Sequence, residues 1–130
     1  MRLALRLEPG TDLRLGLEAL ARDRGWPAAF VVAGIGSLRV TALRLADAAE
    51  PTWLHGPVEL LTLAGSLSPD GAHLHASVAD AQGRVTGGHV AAGCEVRTTV
   101  ELLVELLEQQ AFTRAFDAQT GYAELKIDAR

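Results

Sequence analysis

The sequence predicts an α+β domain, and three observations carry that reading. One stretch, Asp12 to Asp23, spaces its apolar residues as a helix does, whereas most other apolar segments are short, alternating or bounded by Gly- and Pro-containing turns. Between Gly71 and Thr99 a turn-centred pattern sets two strand-like segments back to back as a hairpin. A length of 130 residues with 48% hydrophobic content fits a single domain, residues 1–130, that buries about two-thirds of its unfolded surface.

Taken in order, residues 2 to 7 (RLALRL) alternate Arg with Leu or Ala and predict a strand with one buried face. Pro9-Gly10 ends it, and Thr11 is placed to cap a helix from Asp12 to about Asp23. Leu13, Leu15, Leu17, Leu20 and Ala21 lie partly on one stripe, Asp12 suits the positive amino end, and Gly25 stops the helix. Ala28 to Val32 is a continuous apolar run suited to a strand buried on both faces, and Val40 to Leu45 continues as another after a turn at Gly34-Ile35-Gly36. Gly, Pro and Ala between Ala46 and Pro57 mark a loop. Val58 to Leu67 is a further strand, closed by the turn Ser68-Pro69-Asp70-Gly71.

The next segment carries the chemistry. His73 and His75 are two apart, so on a strand both leave the same face. Asp80-Ala81-Gln82-Gly83-Arg84 reads as a three-residue loop, with Gly83 supplying the left-handed residue that a type I turn plus bulge requires and Asp80 paired with Arg84. Counting outward, 79 faces 85, 77 faces 87 and 75 faces 89. His75 and His89 become cross-strand neighbours, with Cβ atoms about 5 Å apart, and His73 lies on the diagonal of the same face. Leu74, Ala76 and Val78 point to the opposite, apolar face, while Gly87 and Gly88 leave room beside His89. Three neutral imidazoles bind zinc or a similar divalent ion and leave a fourth position exchangeable, so His73, His75 and His89 are the candidate metal ligands. The competing reading is a solvent-facing strand that happens to carry histidine.

Val96 to Gln110 fits two elements. Glu101, Glu105 and Glu108 have helical spacing, and the alternation Val100, Leu102, Val104, Leu106 has that of a strand. Phe112 to Tyr122 reads as an irregular excursion with a Thr120-Gly121 turn, and Ala123 to Ile127 as a last edge strand.

Composition narrows the function. Twelve basic against 16 acidic residues give a net charge of −4, the reverse of the footprint of a protein that neutralises phosphates. The arginines are dispersed along the chain. A single cysteine, Cys94, excludes an intramolecular disulfide and fits a reducing compartment; with no signal-peptide or membrane-spanning pattern, the expected location is cytoplasmic. Gly34-x-Gly36-Ser37 lacks the third glycine of a dinucleotide fingerprint and is read as a plain turn. Cys94 is read as a small buried hydrophobe, and His55 as an exposed loop histidine that could complete a site only by folding over. Glu101 is the leading catalytic candidate, with Asp80 the other carboxylate offered as a general base: beside the histidines the Glu101 carboxylate could orient an imidazole or act as a base toward water at the open position, against a default role as a solvated side chain or a partner of Arg97.

The run Leu74-His75, Ser77, Asp80, Gly83, Gly87-Gly88-His89, Gly93, Thr99 and Glu101 resembles the prokaryotic branch of the plants-and-prokaryotes conserved (PPC) domain. Leu3 to Leu7 with Glu8-Pro9-Gly10 and Asp12, and later Gly34-Ile35-Gly36-Ser37, extend the resemblance over nearly the whole chain. It implies a small α+β domain with a strongly bent antiparallel sheet and one main helix, assembled as a homotrimer. It also implies a strand at Val96–Gln110, which would be apolar on both faces and so suited to a subunit contact. Some prokaryotic members hold a metal at the positions of His73, His75 and His89. Plant members bind DNA through AT-hook segments, and prokaryotic relatives inherit a DNA-binding label; no Arg-Gly-Arg-Pro core occurs here. Three functions follow in order: a metal-binding, self-associating module with a regulatory or scaffolding role; a metal-dependent hydrolase or lyase acting on an unidentified small molecule; and a DNA-binding transcriptional regulator, opposed by the charge. No membrane partner is expected.

Overall fold

The computed structural model describes residues 1–130. Along the chain run β1 (Arg2–Leu7), α1 (Leu13–Asp23), β2 (Ala29–Arg44), β3 (Thr52–Ser68), β4 (Gly71–Ala79), β5 (Val85–Val90), β6 (Glu95–Leu106), β7 (Gln110–Asp117) and β8 (Tyr122–Ala129). Six strands form one antiparallel sheet in the order β1-β6-β2-β3-β4-β5, and β7 pairs with β8 in a separate two-stranded sheet. The larger sheet curls back on itself. Its last strand, β5, also pairs with the far end of β2, Leu43 opposite Val90 and Arg44 opposite His89. No helix is long and apolar enough to cross a membrane.

The helix lies against this curled sheet through Leu13, Leu17 and Ala21, spaced four apart and all buried, while Leu15 falls off the stripe and is exposed. Leu13 and Leu17 are fully enclosed, which stabilises the fold by about 1.5–3 kcal/mol for each side chain. From the sheet, Val31, Leu38, Leu43, Leu63, Leu74, Val96 and Val104 fill the same core. Glu18 ties the helix to the start of β4: one carboxylate oxygen accepts from the Arg14 guanidinium at 2.9 Å and from the Ala72 backbone N–H at 3.1 Å.

Several elements differ from the sequence expectations, each for a physical reason. The helix cap is Asp12 rather than Thr11. Its Oδ1 accepts from the Leu15 N–H at 2.9 Å, and its Oδ2 accepts from the Gly93 N–H at 2.7 Å, which anchors the turn before β6. Gly34-Ile35-Gly36 is not a turn but the middle of β2. A Cβ on Gly36 would collide with the Thr99 carbonyl and the Val100 backbone, so this glycine admits β6 at close approach instead of reversing the chain. Ala28 to Val32 is not buried on both faces, since Phe30 and Val32 are exposed. β3 begins at Thr52, so the connection expected to reach Pro57 is shorter and His55 sits within a strand. Val96 to Leu106 is indeed strand, with Val100, Leu102, Val104 and Leu106 buried and Leu103 exposed. Residues 110–129 form a regular hairpin rather than an excursion. Phe112 anchors it, fully buried edge-on to Phe30 at 5.8 Å between ring centroids.

Asp12→Ala removes the cap and leaves the Gly93 N–H without its acceptor, so it should lower unfolding free energy by about 2 kcal/mol in urea denaturation, with Asp12→Asn losing less.

Candidate metal centre

The hairpin of β4 and β5 forms in the register counted from its turn. Asp80 and Arg84 close it, the Asp80 N–H donating to the Arg84 carbonyl at 3.0 Å, with Gly83 at φ +77°. Asp80 accepts from the backbone N–H of Arg84 and of Gln82 and from the Arg84 guanidinium; these bonds, led by the Arg84 backbone one, hold its carboxyl below the usual range. From there Ala79 faces Val85, Ser77 faces Gly87 and His75 faces His89. Leu74, Ala76 and Val78 are buried beneath, so His73 and His75 project outward from β4. On the neighbouring strand Gly65 stands opposite Leu74 at φ +152°, where a Cβ would strike the His73 carbonyl. Glycine there lets β3 lie flush under the backbone that carries both histidines.

The three imidazoles converge. His73, His75 and His89 each offer a ring nitrogen, all within 4.8 Å of one another, and their ring centroids are separated by 4.5 to 5.3 Å. Desolvation is the main influence lowering the pKa of His73 and of His89. Neighbouring positive charge adds to it, from His75 and Arg114 at His73 and from Arg44 and His75 at His89. Neutral rings keep a lone pair for a cation, and three of them leave room in a tetrahedral shell for one exchangeable ligand.

Beside the histidines opens a cleft of about 660 Å³, with His73 and His89 in its lining. Arg14 of α1, Arg44 at the end of β2, Arg114 of β7, and Tyr122 and Glu124 of β8 contribute to its walls. These residues escaped the sequence reading because the chain brings them in from four elements, one of which was read as irregular. The hairpin periodicity of residues 110–129 was the available signal.

Glu101 lies elsewhere. It stands on β6 opposite Ile35 and Arg6 and lines a different cleft, with Glu59, Arg97 and Thr98, to which no histidine contributes. His55 is exposed on β3, stacked on Trp53 at 6.3 Å and outside the cluster. Cys94 is fully buried. Its Sγ accepts from the Ala42 N–H and donates to the Ala42 carbonyl, both at 3.3 Å, and burial pushes its pKa up to about 11. A thiol so enclosed supplies no metal ligand.

The bifunctional protein GlmU of a Synechococcus strain contains a segment 48% identical over 124 residues, covering 95% of this chain. The chain spans only 20% of that protein's length. A Salmonella enterica protein superimposes with a TM-score of 0.96 at 40% identity, covering 100% of this chain and 94% of that one. A protein from Archaeoglobus fulgidus whose name calls it metal-containing gives 0.79 at 32% identity, over 95% of this chain and 91% of that one. One from Ralstonia eutropha whose name proposes DNA binding gives 0.84 at 25%, over 96% and 90%. With residues 2–108 matching the Plants and Prokaryotes Conserved (PCC) domain, also abbreviated PPC, the chain belongs to that family.

Proposed function

We propose that this chain is a homotrimeric metal-binding module that holds one zinc-like divalent ion per subunit through His73, His75 and His89 and serves a regulatory or scaffolding role. The observation that carries the metal is the convergence of three ring nitrogens within 4.8 Å on one face of the β4–β5 hairpin. An all-imidazole set suits zinc and its neighbours better than calcium or magnesium, which prefer oxygen. The relative named as metal-containing supports the same reading. The occurrence of a 48% identical segment as one fifth of a bifunctional protein supports a module that works beside other activities.

Self-association is supported by an uncovered apolar face. Val32 and Ile35 of β2, Leu61 of β3 and Leu103 of β6 are all exposed; Ile35 stands opposite Glu101 and lines one cleft with it and Leu61. A second copy of the chain would cover this face.

A second reading, a metal-dependent hydrolase or lyase, is favoured by one observation: Glu124 lines the same cleft as His73 and His89. A bound zinc-like ion would supply Lewis-acid chemistry at its open position, and Glu124, which lines that cleft together with Asp47 and Asp70, would serve as the general base. The DNA-binding reading rests on the family label and on relatives so named, and the net charge of −4 opposes it.

Elemental analysis of untagged protein should find close to one equivalent of divalent metal per chain, and His75→Ala or His89→Ala should lose most of it. Equal occupancy in wild type and both variants would reject the site. Light scattering should give three times the 13.7 kDa chain mass, with Ile35→Asp shifting the population to smaller species. A wild-type monomer at micromolar concentration would sink the trimer. Labelled duplex DNA titrated at about 150 mM salt should show no submicromolar binding, and a steeply salt-dependent affinity would put the DNA reading first.

A further inference from the structure

The cleft beside the histidines holds two arginines with no ion-pair partner, although three carboxylates, Asp47, Asp70 and Glu124, also line it. Of its three arginines only Arg14 is in an ion pair, with Glu18 at 2.9 Å. Arg44 donates to a turn carbonyl, that of Ala48, at 3.2 Å, and the guanidinium of Arg114 donates to the Ser66 hydroxyl at 3.0 Å. A guanidinium carries five N–H donors in a planar fork, so both retain donors matched to two oxygens of one anion. Both also stand at the histidines: Arg44 is the backbone partner of His89 across β2 and β5, and Arg114 bonds Ser66, the backbone partner of His73 across β3 and β4.

We propose that this cleft binds a small oxyanion ligand, a carboxylate or a phosphate, gripped by Arg44 and Arg114 with one ligand oxygen directed to the open position of the metal. The inference rests on the metal reading above, because the histidines alone offer such a ligand no open coordination position. A compact anion is favoured over a polyanion by the remaining charges. Asp47 and Glu124 also line the cleft, so a nucleic acid backbone laid through it would meet carboxylates as well as arginines. At about 660 Å³ the cleft matches a metabolite-sized molecule. Asp70 is already engaged, accepting from the Arg114 backbone N–H at 2.8 Å, which holds β7 against the cleft.

The test uses the zinc-loaded full chain, with inorganic phosphate and malonate as probes in calorimetric titrations of wild type, Arg44→Gln and Arg114→Gln. Metal content is measured on every sample. Both variants should keep the wild-type metal content and bind the preferred probe at least about tenfold more weakly, the loss expected when a charge-assisted fork is removed. Arg44→Lys should recover only part of the affinity, because it restores charge without the fork. The tighter probe assigns the ligand class, phosphate or carboxylate, and chelator-stripped protein should bind it more weakly than loaded protein. Metal-loaded wild type that binds neither probe, or binds no better than Arg44→Gln, overturns the inference and leaves the metal reading standing. Wild type without metal overturns both. Arg44 bonds only a turn carbonyl, so its variant remains decisive if Arg114→Gln disturbs β7.

Discussion

The return of β5 onto β2 is the constraint on which the rest of the molecule depends. A strand of six residues serves two partners, β4 along its length and β2 at its end. For those partners to meet it, the sixteen- and seventeen-residue strands β2 and β3 must turn through the intervening sheet without breaking their pairing. They do so through register shifts between Leu38 and Val40 and between Leu60 and Thr62, where an extra residue adds local twist. Curling leaves fewer unpaired backbone groups at the sheet margin and wraps the apolar face around the helix. The same closure brings Arg44 to His89, residues 45 apart in sequence that no local pattern connects.

How much was legible depended on how local the determining physics was. The histidine cluster was legible because turn chemistry and strand parity act over a few residues, and counting outward from Asp80 and Arg84 yields the pairs that form. The helix was legible for the same reason, although its cap was misplaced by one residue because Thr11 and Asp12 are both good caps and only the distant Gly93 N–H discriminates between them. Gly36 was misread because a glycine that makes room for a neighbouring strand looks, in one dimension, like a glycine that makes a turn. The β6 segment was divided between two periodicities. Its strand state is set by pairing with both β1 and β2, and these are contacts the segment does not encode. Arg44 and Arg114 could not be singled out among dispersed arginines, since what distinguishes them is long-range pairing and the absence of an acidic partner.

Net charge and local charge tell different stories in this molecule. The chain as a whole is acidic, yet one cleft sets two arginines free of ion pairs beside three imidazoles, with three carboxylates elsewhere in its lining. A protein can thus repel polyanions at long range while offering a small anion a favourable pocket at short range, because screening beyond about 8–10 Å leaves only nearby charges to act on a ligand already inside. The buried thiol of Cys94, held by Ala42, keeps sulfur out of this region and leaves an all-nitrogen donor set.

The hairpin of β7 and β8 gives that cleft an unusual division of labour. The histidines belong to the six-stranded sheet, whereas Arg114, Tyr122 and Glu124 belong to a ribbon whose outer strand pairs only with its own partner. The ribbon, residues 110–129, also lies beyond the segment that matches the family, which ends at residue 108. Floor and wall of the cleft are therefore encoded in separate stretches of the chain and joined by the bonds from Arg114 to Ser66 and Asp70. Substitutions along the ribbon can retune what the cleft admits while the strand pairings around the imidazoles stay in place, so the choice of guest can diverge while the three-imidazole donor set is kept.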